Sequence, residues 1–428
     1  MKRLGVFTTV ILLTSVSALS CQNPRKDIER PERIVSLRQV MYDSSTYAKL
    51  AQLWKEYYEE YPSEEAYANW MYAAGYAEPN RDYEWQLKKG VDKYPANPVL
   101  LYLLGKEKQT RGDYVEGLQL LEKSAALDPS YIEPWFSLVV VYLSRGDRER
   151  TDVALRRILE SGTVQDEVMD FCYNMLASLE PNAILIVNGD NDTFPGWILT
   201  RIVKFRSDVS IVNRSLLNTD WYPASLVKEG VPPFVTEAGR DSLSKQLSAD
   251  FEQARQGKIP FSDVPFLGDR LVPRIVDAAH RVHRPVYFAC TLEGSKLLKE
   301  IASRGRHLGL VTLVTSASQS YESQCRDLLS VWLRSYRTGG LDGWRVRYER
   351  GAPAGRMLMR NYATCLYSLR DAVSAASGSD QLSLFHWYRD HLLPLLPEEV
   401  TSDVNPMWCS KTAPQEIQDW CKSQGITR

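Results

Sequence analysis

The sequence predicts an N-terminal α-helical repeat region, then an α/β region built on a parallel sheet, then C-terminal helices. Three observations predict this order. Large apolar residues recur with a period of 34 in the first third of the chain, and short apolar runs alternate with helical stretches in the middle. The last part, residues 318–428, returns to apolar positions at helical spacing.

Length and composition indicate an ordinary globular protein. The chain has 428 residues, more than one typical core accommodates, so two or three domains are expected. Hydrophobic residues make up 44%, charged residues make up 25%, and 52 basic against 53 acidic side chains give a formal charge of -1. Because there is no basic excess, a nucleic-acid partner is not expected.

Residues 1–20 have the pattern of a lipoprotein signal peptide. Lys2 and Arg3 precede an uncharged apolar stretch that is shorter than the ~20 residues of a membrane-spanning helix. The sequence ALSC at 18–21 resembles the lipobox of exported bacterial lipoproteins, so we predict lipidation of Cys21 and an acyl anchor of the palmitate type. The alternative is an ordinary secretory signal with an incidental cysteine.

The predicted location is therefore the bacterial cell envelope, with the protein anchored by lipid in the outer membrane. The sequence leaves open whether the protein faces the periplasm or the outside. Residues 21–35 are polar and contain two prolines, which is typical of a tether between the lipid and the folded part.

Residues 36–165 predict a tetratricopeptide repeat domain. Pro95 and Pro129 end two successive units 34 residues apart, and three units cover residues 64–165 after a leading helix at 47–61. Large residues at these positions fill the space between paired helices, and small ones let the helices approach. The recurring positions are Tyr67, Trp70 and Leu87, then Leu101, Leu104, Gly112 and Leu121, then Trp135, Leu138 and Gly146.

Stacked helix pairs form a concave surface, which predicts a groove that binds a partner protein or peptide. The alternative is that so few units only support the next domain. The sequence does not decide between the two.

Residues 166–317 predict the α/β domain. After a linking helix at 166–179, four apolar runs suit strands buried in a parallel sheet, with helices between them at 269–282 and 294–304. The predicted strands are 183–187, 209–212, 285–290 and 308–315.

Polar loops follow these strands and form the candidate ligand site. Ligands of such sheets bind beyond the carboxyl ends of the strands, which brings the loops 188–195, 213–222 and 291–295 to one edge. Oxygen ligands there suit a divalent metal, for which Asp190 and Asp192 are the candidates, or a glycan. The alternative is that the same residues only form turns and helix caps, with Pro195 in a first helical turn. The candidate residues are Asn188, Asp190, Asn191, Asp192, Thr193, Asn218, Asp220 and Trp221.

Residues 318–428 predict helices at 321–336, 356–377 and 381–396, whose aromatic residues pack in the core. Cys409 and Cys421 lie close together in the tail and are a candidate disulfide pair. Histidines and cysteines form no zinc-ligand pattern, and the common nucleotide-binding and hydrolase motifs are absent from the sequence. The candidate core aromatic residues are Trp332, Tyr362, Tyr367, Phe385 and Trp387.

Two motifs in the α/β region, PNAILIVNGDNDTFPGWIL and SDVSIVNRSLLNTDWY, are followed by HRPVYFACTL. Together they resemble the soluble C-terminal region of large polytopic proteins of Bacteroidota-type bacteria, which are related to eukaryotic protein O-mannosyltransferases. The resemblance covers residues 181–315 and implies a candidate binding site at 188–195 and 218–222. It also implies a role beside surface glycosylation or envelope assembly. It does not carry over transferase activity, because the catalytic part of that family spans the membrane, and no other apolar run of this chain reaches 18 residues.

We therefore expect a protein-binding scaffold of the cell envelope, without catalytic residues, that binds a protein partner through its repeats. The expected cofactor is none, with a divalent metal and a glycan as candidate ligands. The alternative is a metal-dependent glycosyltransferase or another carbohydrate-active enzyme that uses the 188–195 loop. Asp190 and Asp192 have the DxD spacing with which many glycosyltransferases hold a metal and a sugar nucleotide.

Overall fold

A computed structural model describes residues 28–38, 40, 42–77, 81–292, 295–314, 320–348 and 353–426. The predicted signal peptide at 1–20 and the predicted lipidation site Cys21 lie outside the described residues. Among the described residues, no helix combines the length and the apolar character that crossing a bilayer requires.

The N-terminal part is a series of packed helix pairs, as the 34-residue period predicts. A leading helix packs on the first of three helix pairs, and a linking helix leads to the sheet. The helices are α1 (Ser44–Glu60), α2 (Glu64–Tyr76), α3 (Tyr83–Lys93), α4 (Pro98–Thr110), α5 (Tyr114–Leu127), α6 (Glu133–Ser144), α7 (Arg148–Glu160) and α8 (Asp166–Ala177).

The repeated residues form the turns and the core of these pairs. Gly112 and Gly146 follow α4 and α6 with φ of 89° and 71°, a left-handed conformation that glycine adopts without steric cost. The next residues, Asp113 and Asp147, cap α5 and α7, because their carboxylates accept backbone N–H groups of the first turn. In the second helix of each pair, α3, α5 and α7, one leucine is fully buried. These leucines are Leu87, Leu121 and Leu155.

In the middle pair, two glycines let the helix backbones meet. A Cβ atom on Gly117 would lie 2.9 Å from the carbonyl oxygen of Gly105, and one on Gly105 would lie 3.0 Å from that of Gly117. Any side chain at these positions would push α4 and α5 apart, so the glycines fix how closely the pair packs.

A five-stranded sheet follows, in the order β2-β1-β3-β5-β4, and β1 pairs in parallel with both β2 and β3. The strands are β1 (Ile184–Val187), β2 (Ser210–Asn213), β3 (Val286–Ala289), β4 (Arg306–His307) and β5 (Val311–Leu313). The helices around them are α9 (Asp190–Trp197), α10 (Tyr222–Lys228), α11 (Glu237–Arg255), α12 (Leu267–Arg281) and α13 (Lys296–Ser303), with a π-helix at Ile198–Ile202 and 3₁₀ turns at Leu216–Asn218 and Phe261–Asp263.

The expectation of a parallel sheet needs one correction. The predicted strand at 308–315 is β5, which runs antiparallel to β3, so the sheet is mixed. The reason is a hairpin that the sequence reading missed: after α13 the chain forms the short strand β4, turns at Gly309 with φ of 74°, and returns as β5.

The predicted loop at 188–195 is also corrected. Helix α9 begins at Asp190, so Pro195 lies in its second turn and not in the first. A proline there leaves the carbonyl of Asn191 without its helical N–H donor. The Cys172 thiol of α8 donates to this oxygen at 3.4 Å, which compensates for the missing bond.

The C-terminal part is helical, as predicted, although the stretch predicted as one helix at 356–377 is two. Trp332, Tyr362, Phe385 and Trp387 pack in its core, whereas Tyr367 is exposed. A disulfide joins Cys409 and Cys421, the pair that the sequence singles out. The helices are α14 (Tyr321–Arg334), α15 (Trp344–Tyr348), α16 (Pro353–Ser368), α17 (Arg370–Ala375), α18 (Gly378–Trp387), α19 (Glu398–Val404) and α20 (Gln415–Ser423), with a π-helix at Tyr388–Leu392 and 3₁₀ turns at Leu393–Leu395 and Asn405–Trp408.

Candidate functional site

A groove of about 860 Å³ lies between the helix pairs and the N-terminal segment. The first turns of α2, α4 and α6, with the turns that precede them, line one side of the groove. The segment before α1 lines the other side. The lining residues are Arg33, Ile34, Val35, Ser36, Glu64, Glu65, Ala68, Asn69, Tyr72, Asn97, Pro98, Val99, Asp128, Ser130, Tyr131, Ile132, Glu133, Ser161 and Thr163.

This segment, residues 28–38, which ends in a turn at 37–38, is docked on the repeats. Arg30 forms an ion pair with Glu65, and the indole N–H of Trp54 donates to the carbonyl of Glu32 at 3.1 Å. The backbone N–H of Leu37 donates to the hydroxyl of Tyr72 at 2.8 Å. From residue 28 onward, the stretch predicted as a tether is therefore part of the folded surface.

Glu133, at the start of α6, organises the inner end of the groove. Its carboxylate is fully buried and accepts hydrogen bonds from the hydroxyls of Tyr72 and Ser36, at 2.8 and 2.5 Å. A buried carboxylate is stable only when its charge and its lone pairs are matched. Arg38 supplies the opposite charge, with Nε 3.6 Å from Oε2.

Arg38 also reaches the α/β region. Its guanidinium pairs with Asp190 at 2.5 Å and lies 4.1 Å from the ring centroid of Phe136. Burial lowers the pKa of Arg38, but the charges of Asp190 and Glu133 outweigh that effect and raise it overall. Arg38 thus joins the docked segment, α6 and α9 in one contact.

The open part of the groove carries negative charge. Glu64, Glu65 and Asp128 line it, against Arg33 as a basic lining residue. In the described part of the chain, the hydroxyl of Tyr131 has no hydrogen-bond partner, and burial raises its pKa well above the ordinary value. The groove therefore favours a ligand that carries positive charge and hydrogen-bonding groups.

In the strand-edge loops, Asp192 acts as a cap. It is 3% exposed, and its carboxylate accepts the backbone N–H groups of Asn188 at 3.0 Å and Gly189 at 2.9 Å. The hydroxyl of Thr291 donates to the same carboxylate. Burial raises the pKa of Asp192, and these hydrogen bonds act in the opposite direction.

Asp190 and Asp192 do not face a common ligand position. The side chain of Asp190 is 57% exposed and pairs with Arg38, whereas Asp192 is turned inward to its cap. The described residues contain no group of three or more acidic, histidine or cysteine side chains that could hold a metal ion. The metal site stays a prediction that this geometry does not favour.

The second loop packs against the first through Arg214, a residue that the sequence reading did not select. Its guanidinium donates to Asn188 at 3.1 Å and to Asp269 of α12 at 2.5 Å. The side-chain oxygen of Asn218 accepts a hydrogen bond from the backbone N–H of Gly268 at 2.9 Å. A Cβ atom on Gly268 would lie 2.4 Å from the carbonyl oxygen of Arg214, so only glycine fits there without a shift.

The other candidate residues have structural partners. Thr193 is buried and its hydroxyl accepts from Asn213 at 2.8 Å, whereas Trp221 packs edge-on against Tyr222. Asp220 projects into solvent and pairs with Arg240. The structure therefore joins Asn188, Asp192, Thr193 and Asn218 in a network of turns and caps, and leaves Asp190 and Asp220 outside it.

The groove residues that sequence reasoning missed include Ser36 and Glu133, and it also missed Arg38 behind them. The signals of Ser36 and Glu133 are weak, because each is one polar residue between apolar neighbours. The pair Ile34-Val35 at the end of a polar stretch was the usable sign that residues 28–38 dock.

Part of the chain matches the model of a known protein family. The family model "TMEM260-associated domain 2" matches residues 168–230, which run from the first turn of α8 through β1, α9 and β2 to the end of α10. No curated protein matches the chain. Among solved structures, the chain is similar to yeast Tom70, with 8% identity, a TM-score of 0.24, and coverage of 94% of this chain and 71% of that one.

Proposed function

We propose that this protein is a protein-binding scaffold whose groove receives an extended, positively charged segment of a partner protein. The observation that carries the proposal is that the groove already holds an extended stretch of this chain. Residues 28–38 dock there through charge and backbone contacts, including Arg30 with Glu65 and Leu37 with Tyr72.

The backbone of the docked segment offers a second means of recognition. Between described residues, no hydrogen bond engages the peptide groups of Arg33, Ile34 and Val35. Unpaired peptide groups along an extended chain can pair with another extended chain, as in strand addition. A partner segment beside residues 33–35 would use these groups and would face Glu64 and Asp128 with its basic side chains.

A binding experiment with two synthetic peptides tests this proposal. A fluorescent peptide of alternating lysine and valine is expected to bind the full chain, with affinity that falls as salt rises, whereas the matching glutamate–valine peptide does not bind. Glu64→Lys is expected to weaken binding of the basic peptide roughly tenfold, the equivalent of about 1.4 kcal/mol.

Glu149→Lys is the matched control, because Glu149 is exposed on α7 and does not line the groove. It makes the same change of net charge and is expected to leave the affinity unchanged. Equal binding of both peptides, or an equal loss in both variants, would contradict the proposed groove.

We propose further that the scaffold acts at the cell envelope, anchored through Cys21, beside surface glycosylation or envelope assembly. The lipobox-like ALSC supports the anchor, and the match at 168–230, which overlaps the motifs at 181–222, is compatible with the proposed setting. Intact-mass analysis of native protein tests the anchor. We expect a mature N-terminus at Cys21 with added acyl mass; native protein that keeps Met1 in the cytosol would argue against it.

A further inference from the structure

A cavity of 220 Å³ lies between the end of β3, α13, the β4–β5 hairpin and α16. It is separate from the groove and from the strand-edge network. Two cysteines line it, Cys290 directly after β3 and Cys365 within α16.

Both thiols line this one cavity, and neither belongs to the disulfide of the tail. The third free thiol of the described residues, Cys172, instead donates to the carbonyl of Asn191. Cys290 is partly accessible, whereas Cys365 is buried.

We propose that Cys290 and Cys365 form a reversible disulfide, which makes this cavity a thiol–disulfide site that joins the sheet to α16. The oxidant is a small disulfide such as oxidised glutathione. The Cys290 thiolate attacks one sulfur of that disulfide and releases one glutathione thiol; the Cys365 thiolate then displaces the second from the mixed disulfide. Two protein thiols lose two protons and two electrons, and the glutathione disulfide becomes two thiols.

Reaction at neutral pH is expected to be slow. The neighbouring Cys365 thiol, together with burial, raises the pKa of Cys290 well above its ordinary value, and the thiolate is the reacting form. The rate of disulfide exchange at Cys290 therefore rises with pH through the alkaline range. Once formed, the bridge closes a long loop of chain and raises Tm by several degrees, because it constrains the unfolded state.

The test incubates the reduced full chain with oxidised glutathione at alkaline pH and maps peptides without reduction. We expect a crosslinked peptide pair that contains Cys290 and Cys365, alongside the Cys409–Cys421 pair. In Cys365→Ser, Cys290 is expected to carry one glutathione instead, since no second thiol is there to displace it.

Cys172→Ala is the matched control, a free buried thiol removed from the same region, and it keeps the crosslink if it folds. Far-UV circular dichroism checks that the variants fold, and Cys365→Ala replaces the serine variant if that one does not. Two free thiols under conditions that fully reoxidise Cys409–Cys421 would overturn the proposal, as would a stable glutathione adduct on Cys290 of the unaltered chain.

Discussion

At the scale of single residues, the molecule depends on a few buried polar side chains that satisfy several neighbours at once. Glu133 accepts hydrogen bonds from Tyr72 and Ser36 and forms an ion pair with Arg38. Asp192 accepts hydrogen bonds from two backbone N–H groups and from the hydroxyl of Thr291. Losing one partner of such a set leaves the others buried without bonds, which costs more than the bond itself contributes.

Glu133→Gln tests the inner end of the groove. The amide keeps the shape but removes the charge opposite Arg38 and one of the two acceptor oxygens. We expect the free energy of unfolding to fall by about 2–4 kcal/mol, measured by urea denaturation. Glu65→Gln, which breaks the exposed pair with Arg30, is the control and is expected to cost under about 1 kcal/mol. Equal costs would contradict the central role of Glu133.

Asp192→Ala tests the cap of α9 against the metal-site hypothesis. Loss of its hydrogen bonds is expected to lower stability by about 2–3 kcal/mol, whereas Asp190→Ala, at an exposed ion pair, lowers it by under about 1 kcal/mol. Thermal melting with and without magnesium provides the second measurement. If magnesium raised Tm and both variants abolished the shift, the two aspartates would be metal ligands instead of a cap and an ion-pair partner.

At the scale of helices and strands, small residues set how elements approach. Gly105 and Gly117 let α4 and α5 meet at their backbones, and Gly268 does the same for α12 and the loop after β2. These positions tolerate no Cβ without a shift of the backbone, so they fix the geometry of the groove and of the strand-edge network.

Gly117→Ala is expected to destabilise the array by about 1–3 kcal/mol, because the new Cβ would lie 2.9 Å from a carbonyl oxygen of the facing helix. Helix propensity alone would make the same change stabilising, so the sign of the effect is informative. Gly378→Ala, where the nearest atom is 3.9 Å away, is the control and is expected to be neutral or stabilising. Urea denaturation of both variants measures the difference; a stabilised Gly117→Ala would contradict the close contact.

The elements that sequence reasoning predicts best are those whose signal repeats. Helix pairs were predictable because glycine, aspartate and leucine recur every 34 residues, and β1 because four consecutive buried residues are apolar. The start of α9 was not, because Asp190, Asn191 and Asp192 suit a turn and a helix start equally. The β4–β5 hairpin was missed because β4 has only two residues.

The candidate site was less predictable than the fold. The strand-edge residues do meet, as the topology of parallel strands requires, but their oxygens are used by caps and by Arg214. The docking of residues 28–38 depends on contacts between residues far apart in sequence, such as Ser36 with Glu133, and the apolar pair Ile34-Val35 indicates docking without indicating these partners.

At the scale of the whole molecule, buried tyrosines make the fold sensitive to alkali. Burial raises the pKa of Tyr47, Tyr67 and Tyr142 to about 12 each, above the ordinary value near 10. A raised pKa in the folded state contributes stability that is complete below pH 10 and is lost as pH rises through 12.

Between pH 10 and 12 we therefore expect the free energy of unfolding to fall, and the phenolate absorbance of these residues to appear at higher pH than that of exposed tyrosines as long as helical circular dichroism is retained. Tyr142→Phe is expected to make that fall less steep, and Tyr114→Phe, at an exposed position, to leave it unchanged. A full phenolate signal at the pH of the exposed tyrosines, from a chain that remains folded, would contradict the assignment.

The two-sided contact of Arg38 has a mechanical consequence. A ligand that lifted residues 28–38 out of the groove would pull the guanidinium away from Asp190 as well as from Glu133, so the first turn of α9 would lose its ion-pair partner on the docked segment. Occupancy of the groove and packing at the strand edge are then thermodynamically linked, and by reciprocity any event that tightens the first turn of α9 on Arg38 makes the groove harder to open.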